Sequence, residues 1–131
     1  MTGLDTNVLV RYIMQDDPKQ SPKATKLIES LAADAPGFVP LVAVVELVWV
    51  LSSSYALTRL QVVQSLESLL RTKELVVDRA DQVLKAVRLF KASSADFADC
   101  LIERTAAAAG CGRTMTFDVA ASKATGMVLL S

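Results

Sequence analysis

With 131 residues, 52% of them apolar and 21% charged, the chain can bury a core of its own as one domain, residues 1 to 131, and carries no low-complexity stretch. Fourteen basic residues balance fourteen acidic ones, so the whole molecule has no electrostatic reason to condense on nucleic acid, and any such contact must use a local patch. Histidine is absent, which removes imidazole acid–base catalysis, Ser-His-Asp and Cys-His arrangements and imidazole metal sites, and makes carboxylates the expected reagents if the chain is an enzyme.

In chain order, residues 1 to 4 form a short apolar opening, and Asp5-Thr6-Asn7 gives capping chemistry before the helical spacing of Val8, Leu9, Tyr12 and Ile13. Asp16-Asp17-Pro18 breaks that pattern. Ser21-Pro22 then opens an amphipathic helix through Ala24, Leu27, Ile28 and Leu31, expected to end near Asp34. Gly37-Phe38-Val39-Pro40 reads as a short strand. Residues 41 to 51 are apolar except for Glu46, a length that favours a buried helix, with Ser52 to Ser54 at its fraying end. Thr58 can cap a helix carrying Leu60, Val63, Leu66, Leu69 and Leu70, and Glu74 to Val77 reads as a strand. Residues 79 to 91 look helical. A further helix starts near Asp96, runs through the alanines at 106 to 109 and ends at Gly110. Arg113 to Phe117 is expected to be a strand delivering Asp118, followed by a short helix over 119 to 124, Gly126, and an apolar close at 127 to 130. Strands alternating with helices imply an α/β sandwich on a parallel sheet.

No run approaches the roughly 20 apolar residues of a membrane span, and no basic region precedes an apolar stretch and a cleavage site, so the expectation is a cytoplasmic protein with no membrane partner. Cys100 and Cys111 lie in apolar surroundings without metal-ligand spacing, as expected of reduced, mostly buried thiols.

The acids carry the chemistry. Glu46 stands among Val44, Val45, Leu47, Val48 and Trp49, where a buried, unpaired carboxylate would be expensive; the alternative is a helix that turns it outward to water. Asp5 and Asp118 each follow a strand, and the carboxyl ends of parallel strands share the edge where ligands bind, although either residue could equally serve as a helix N-cap. Asp96 and Asp99 are one helical turn apart on one face, a position the helix dipole also favours without any catalytic role. Carboxylates gathered from these segments would repel one another unless some protonate or a multivalent cation sits among them. Oxygen-only ligands favour Mg2+ or Mn2+ over zinc. Such a site suits hydrolysis of a phosphodiester.

Leu4-Asp5-Thr6-Asn7-Val8-Leu9-Val10, the isolated Glu46, Asp96-Phe97-Ala98-Asp99-Cys100-Leu101-Ile102 and Thr116-Phe117-Asp118 together resemble the PIN-domain family, especially its VapC-like toxins, over almost the whole chain. The resemblance implies a three-layer sandwich with a short parallel central sheet and helices on both faces. It implies a metal-dependent endoribonuclease, the toxin of a toxin–antitoxin pair, with Asp5, Glu46, Asp99 and Asp118 as the acidic quartet around Mg2+ or Mn2+. Asp96 is then auxiliary, Thr6 and Thr116 are supporting hydroxyls, and Asn7 steadies the loop into the first helix. The partners implied are an RNA substrate, a cognate antitoxin and a second copy in a homodimer. Tyr12 and Trp49 could line a partner groove, with a place in the core as the plainer expectation. Arg11, Arg59, Arg104, Arg113 and Lys123 are candidate phosphate contacts. Two departures stand out: Cys100 replaces a small alanine, and Val119 follows Asp118 where a polar or basic residue is common.

Two other functions fit less of the chain. A phosphatase with Asp5 as nucleophile would need a second acid where Asn7 stands. A PIN-like module that only binds a partner need not retain mutually repelling carboxylates.

Overall fold

The computed structural model describes all 131 residues and shows two compact units, Met1–Asp78 and Arg79–Ser131. The first contains strands β1 (Thr2–Gly3), β2 (Gly37–Val39) and β3 (Leu75–Val77), all parallel, in the order β1-β2-β3. Thr2 pairs with Gly37, and Gly37 pairs in turn with Leu75. Parallel neighbours need a crossover rather than a tight turn. Each crossover here is a pair of helices: α1 (Thr6–Met14) with α2 (Gln20–Glu29), then α3 (Leu41–Ser53) with α4 (Arg59–Arg71). Helix α1 packs on α2 and α3, and α4 packs on β3.

Local chemistry sets these boundaries. Pro40 leaves β2 at φ −61° and stands at the N-cap of α3, whose first amide, that of Leu41, donates to Asp78 Oδ2 at 3.3 Å. Thr58 and Gln61 form a reciprocal capping box at the start of α4, with Gln61 N–H donating to Thr58 Oγ1 at 3.2 Å and Thr58 N–H to Gln61 Oε1 at 2.9 Å. Gly37 is buried at the centre of the ladder, where a Cβ would come within 2.8 Å of the side chains of Leu4 and Leu31. Leu9, Val39, Val44, Leu47, Leu51, Val62, Val63 and Leu66 are fully buried. Each such side chain is worth about 1.5–3 kcal/mol.

The second unit contains α5 (Ala80–Ala92), α6 (Phe97–Ala108), β4 (Met115–Thr116), α7 (Val119–Thr125) and β5 (Val128–Leu129). Helices α5 and α6 pack closely, with Phe90 and Phe97 edge to face at 5.7 Å between ring centroids. Strands β4 and β5 form a parallel ladder joined through α7, which ends at Gly126 with φ +83°, a conformation that favours glycine. Seven helices and short parallel ladders make the chain an α/β protein, as the alternation implies. No helix is long and apolar enough to cross a membrane.

Four expectations are corrected. Helix α2 begins at Gln20 because the Asp17 carboxylate accepts the amides of Lys19 and Gln20, at 2.9 and 2.7 Å, and it ends at Glu29. A tight turn between Ala32 and Ala35 replaces its last turn, ahead of Pro36, which disfavours helix in the residue before it. Helix α3 is buried on one side only: Val42 and Trp49 are 70% and 66% exposed, so Trp49 is not a core residue, and Tyr12 lines an open groove of about 720 Å³ between α1 and α4. Finally, Cys100 is buried but Cys111, in the loop between Gly110 and Gly112, is exposed.

Candidate active site

In the first unit, Leu4 ends the strand segment in the core and Asp5 turns the chain into α1. Asp5 occupies the N-cap position with extended backbone, φ −78° and ψ 157°, yet its carboxylate makes no capping hydrogen bond. Its side chain is exposed, so the charge is available to a ligand. Thr6 follows, buried, and its Oγ1 donates to Glu46 Oε1 at 3.1 Å. Glu46 lies on the exposed side of α3, in one helical row with Val42 and Trp49, which resolves the two readings of that residue in favour of the outward one. One hydroxyl therefore ties the carboxylate of α3 to the residue next to Asp5. Asn7 is exposed and lines a cavity of about 270 Å³ with Arg11, Gln20 and Lys23.

In the second unit, three acids share one neighbourhood. Asp96 stands at the N-cap of α6 and, like Asp5, makes no side-chain cap. Asp99 lies in the first turn of that helix. Its pKa is raised above the ordinary aspartate range, first by burial and then by the negative charges of Asp96 and Asp118. Asp118 caps α7 through Oδ1, which accepts Ala121 N–H at 3.1 Å, while its own N–H donates to Thr116 Oγ1 at 3.0 Å. Thr116 thus fixes the turn that presents Asp118.

Glu103 adds a further acid to this neighbourhood of α6. It lies one turn after Asp99, so Asp96, Asp99 and Glu103 follow the i, i+3, i+7 spacing of a single helical face. Its side chain is 18% exposed, and its buried Oε2 makes no hydrogen bond although Arg104 Nε stands 3.3 Å away. The spacing was visible in the sequence, but the alanines that follow drew the face as apolar.

No group of three or more acid or cysteine side chains is arranged to hold a metal ion. The chemistry of the donors nonetheless fits a hard cation. Asp5 and Asp96 are free of the capping duty their positions offer, and Asp99 lies near the like charges of Asp96 and Asp118, a repulsion that a proton or a divalent cation would relieve.

A single family model, that of the PIN domain, matches residues 4–126 and so runs through both units. The chain belongs to the PIN-domain family. PIN domains are generally nucleases that bind RNA and use divalent metal ions, and a nuclease-type function follows for this chain. No curated protein matches the chain. Within this PIN domain the candidate phosphate contacts part company. Arg11 is engaged in structure: its Nε donates to Gln20 Oε1 at 2.8 Å, and its Nη1 donates to Tyr55 Oη at 3.0 Å and to Asp16 at 3.3 Å. Arg104 faces Glu103. Arg113 and Lys123 are exposed and in no ion pair.

Proposed function

We propose that this PIN domain is a metal-dependent endoribonuclease and the toxin of a toxin–antitoxin pair, acting in the cytoplasm with both units working as one domain. The observation that carries the proposal is the family match together with acids that have been left without structural partners. Asp5, Glu46, Asp99 and Asp118 would hold Mg2+ or Mn2+, with Asp96 raising the local negative charge. The bound cation supplies Lewis acidity at a phosphoryl group and lowers the pKa of water. The chain's own residues do the rest. Thr6 orients Glu46 through the 3.1 Å hydrogen bond, Thr116 and the Ala121 amide orient Asp118, and Asn7 occupies the first turn beside Asp5. Arg113 and Lys123 supply positive charge for the RNA backbone. A second copy of the chain and a cognate antitoxin are the proposed protein partners; the exposed side of α3 with Val42 and Trp49 offers apolar surface for one of them.

The test is cleavage of total RNA by purified, antitoxin-free protein in Mg2+, Mn2+ or EDTA. Cutting in either metal, abolished by EDTA, is the expected result, and expression of the chain alone is expected to arrest growth. Equal inactivity with every metal would replace the nuclease by a binding module, and cutting without growth arrest would remove the toxin role alone.

A further inference from the structure

We propose that Phe117 is a positioning residue that stacks against an unpaired base beside the phosphate to be cut; this rests on the nuclease reading above. Of the four phenylalanines, Phe38 is half-buried, Phe90 and Phe97 are buried against each other, and Phe117 is 79% exposed. An aromatic ring left in water forgoes the burial that the others obtain. Its place is not a loose loop. Phe117 lies between β4 and α7, bracketed by the bond from Asp118 N–H to Thr116 Oγ1, and the next turn is closed by Ala121 N–H on Asp118 Oδ1. The ring is therefore presented from a fixed turn, one residue from a proposed metal ligand.

The flanking charges and the neighbouring proposed metal ligand favour a nucleotide over a protein. The cores of protein interfaces are depleted of charge. Phe117 is followed directly by Asp118, and exposed cations in no ion pair lie on both flanking segments, Arg113 ahead of β4 and Lys123 in the last turn of α7, interleaved with the exposed apolar side chains of Met115 and Val119. An aromatic face with cations nearby is the combination that holds single-stranded nucleic acid, with bases stacked on the ring and phosphates on the charges. Stacking accepts any base, so Phe117 sets the register of the strand at the site without reading sequence.

The experiment measures binding of a fluorescent single-stranded RNA of roughly 12 nucleotides in EDTA at low salt, and its cleavage in Mn2+, for the wild type, Phe117→Ala, Phe117→Leu and Phe117→Trp. The exposed position lets all three variants fold, which unchanged melting curves verify. Phe117→Ala is expected to weaken binding by roughly 5- to 150-fold, the fold-change to which the energy of one stacked base converts. Phe117→Trp restores binding and Phe117→Leu does not. An abasic nucleotide beside the cut should cost the wild type a similar factor and cost Phe117→Ala nothing further. A wild type that cuts RNA while Phe117→Ala binds and cuts equally well overturns the stacking role and leaves the nuclease standing. Full rescue by Phe117→Leu overturns it in favour of a plain apolar contact. A wild type that neither binds nor cuts any RNA removes the nuclease and the stacking role together.

Discussion

Asp16 and Asp17 in the first unit and Asp99 in the second have opposite surroundings. Asp16 and Asp17 of the first unit are surrounded by donors: Tyr55 Oη–H donates to Asp16 Oδ2 at 2.6 Å with Arg11 alongside, and Asp17 accepts two backbone amides at the start of α2. Both carboxyls are held below the usual aspartate range, Asp16 chiefly by the Tyr55 hydrogen bond and Asp17 chiefly by the Gln20 amide. Asp99 of the second unit is held above that range by burial and by two neighbouring acids. An acid that organises structure is given donors. An acid crowded by acids stores a cost that the fold alone does not recover, and a cation would recover it.

The sharpest way to break this contrast is to compare Asp99→Asn with Asp17→Asn. The former should lose more than about 100-fold in RNA cleavage, beyond the 10- to 100-fold typical of residues that only support a ligand, with the fold intact by circular dichroism. The latter should cut RNA at the wild-type rate and melt at a lower temperature. Next in size, Thr6→Val removes the hydroxyl that orients Glu46 and should cost about 10- to 100-fold in metal affinity or rate, read by Mn2+ titration and initial rates. Thr58→Ala serves as the structural counterpart: losing the cap of α4 should cost about 1 kcal/mol in urea unfolding and leave cleavage unchanged.

The smallest expected effects are on stability against pH, measured by urea unfolding in EDTA. The folded protein binds the Asp99 proton more tightly than the unfolded chain does. Its contribution is therefore fully present below the unfolded pKa and is lost as pH rises through the raised folded value. At neutral pH the charge opposes folding, and Asp99→Asn should be more stable by about 0.2–0.5 kcal/mol, the scale of a like-charge pair on a helix, with the gain vanishing in acid. Asp16 and Asp17 have the reverse sign. Their contributions are present above the unfolded pKa and are lost as pH falls through the depressed folded values, so Asp17→Asn should flatten the acid limb of the curve. A gain for Asp99→Asn that persists unchanged into acid would mean that its charge is not the source of the cost.

The order of elements was readable in the sequence because strand and helix periodicities alternate cleanly and because Thr58, Pro40, Gly110 and Gly126 mark boundaries chemically. The sidedness of α3 was not. With Val42, Val45, Leu47, Val48 and Trp49 all apolar, periodicity cannot say which face meets water, and it leaves Trp49 open between a partner groove and the core. Asp17 was read as part of a helix break when it is the residue that starts the next helix, since a capping acid and a breaking acid look alike until the amides are located. Asp5 and Asp118 stand out by their places after strands, Glu46 by its apolar neighbours and Asp99 by its spacing from Asp96, and family likeness groups the four as a quartet. That Asp5 and Asp96 leave their caps unmade, and that Glu103 Oε2 is buried without a hydrogen bond, depends on side-chain geometry that spacing alone does not contain.

The central claim is that the unpartnered acids exist to bind a divalent cation. The most direct measurement is calorimetric titration of Mn2+ into the purified protein beside folded Asp99→Asn and Asp17→Asn. Saturable binding is expected in the wild type and in Asp17→Asn, with an affinity at least about tenfold weaker in Asp99→Asn. Equal Mn2+ affinity in all three proteins, or none in the wild type, would contradict it.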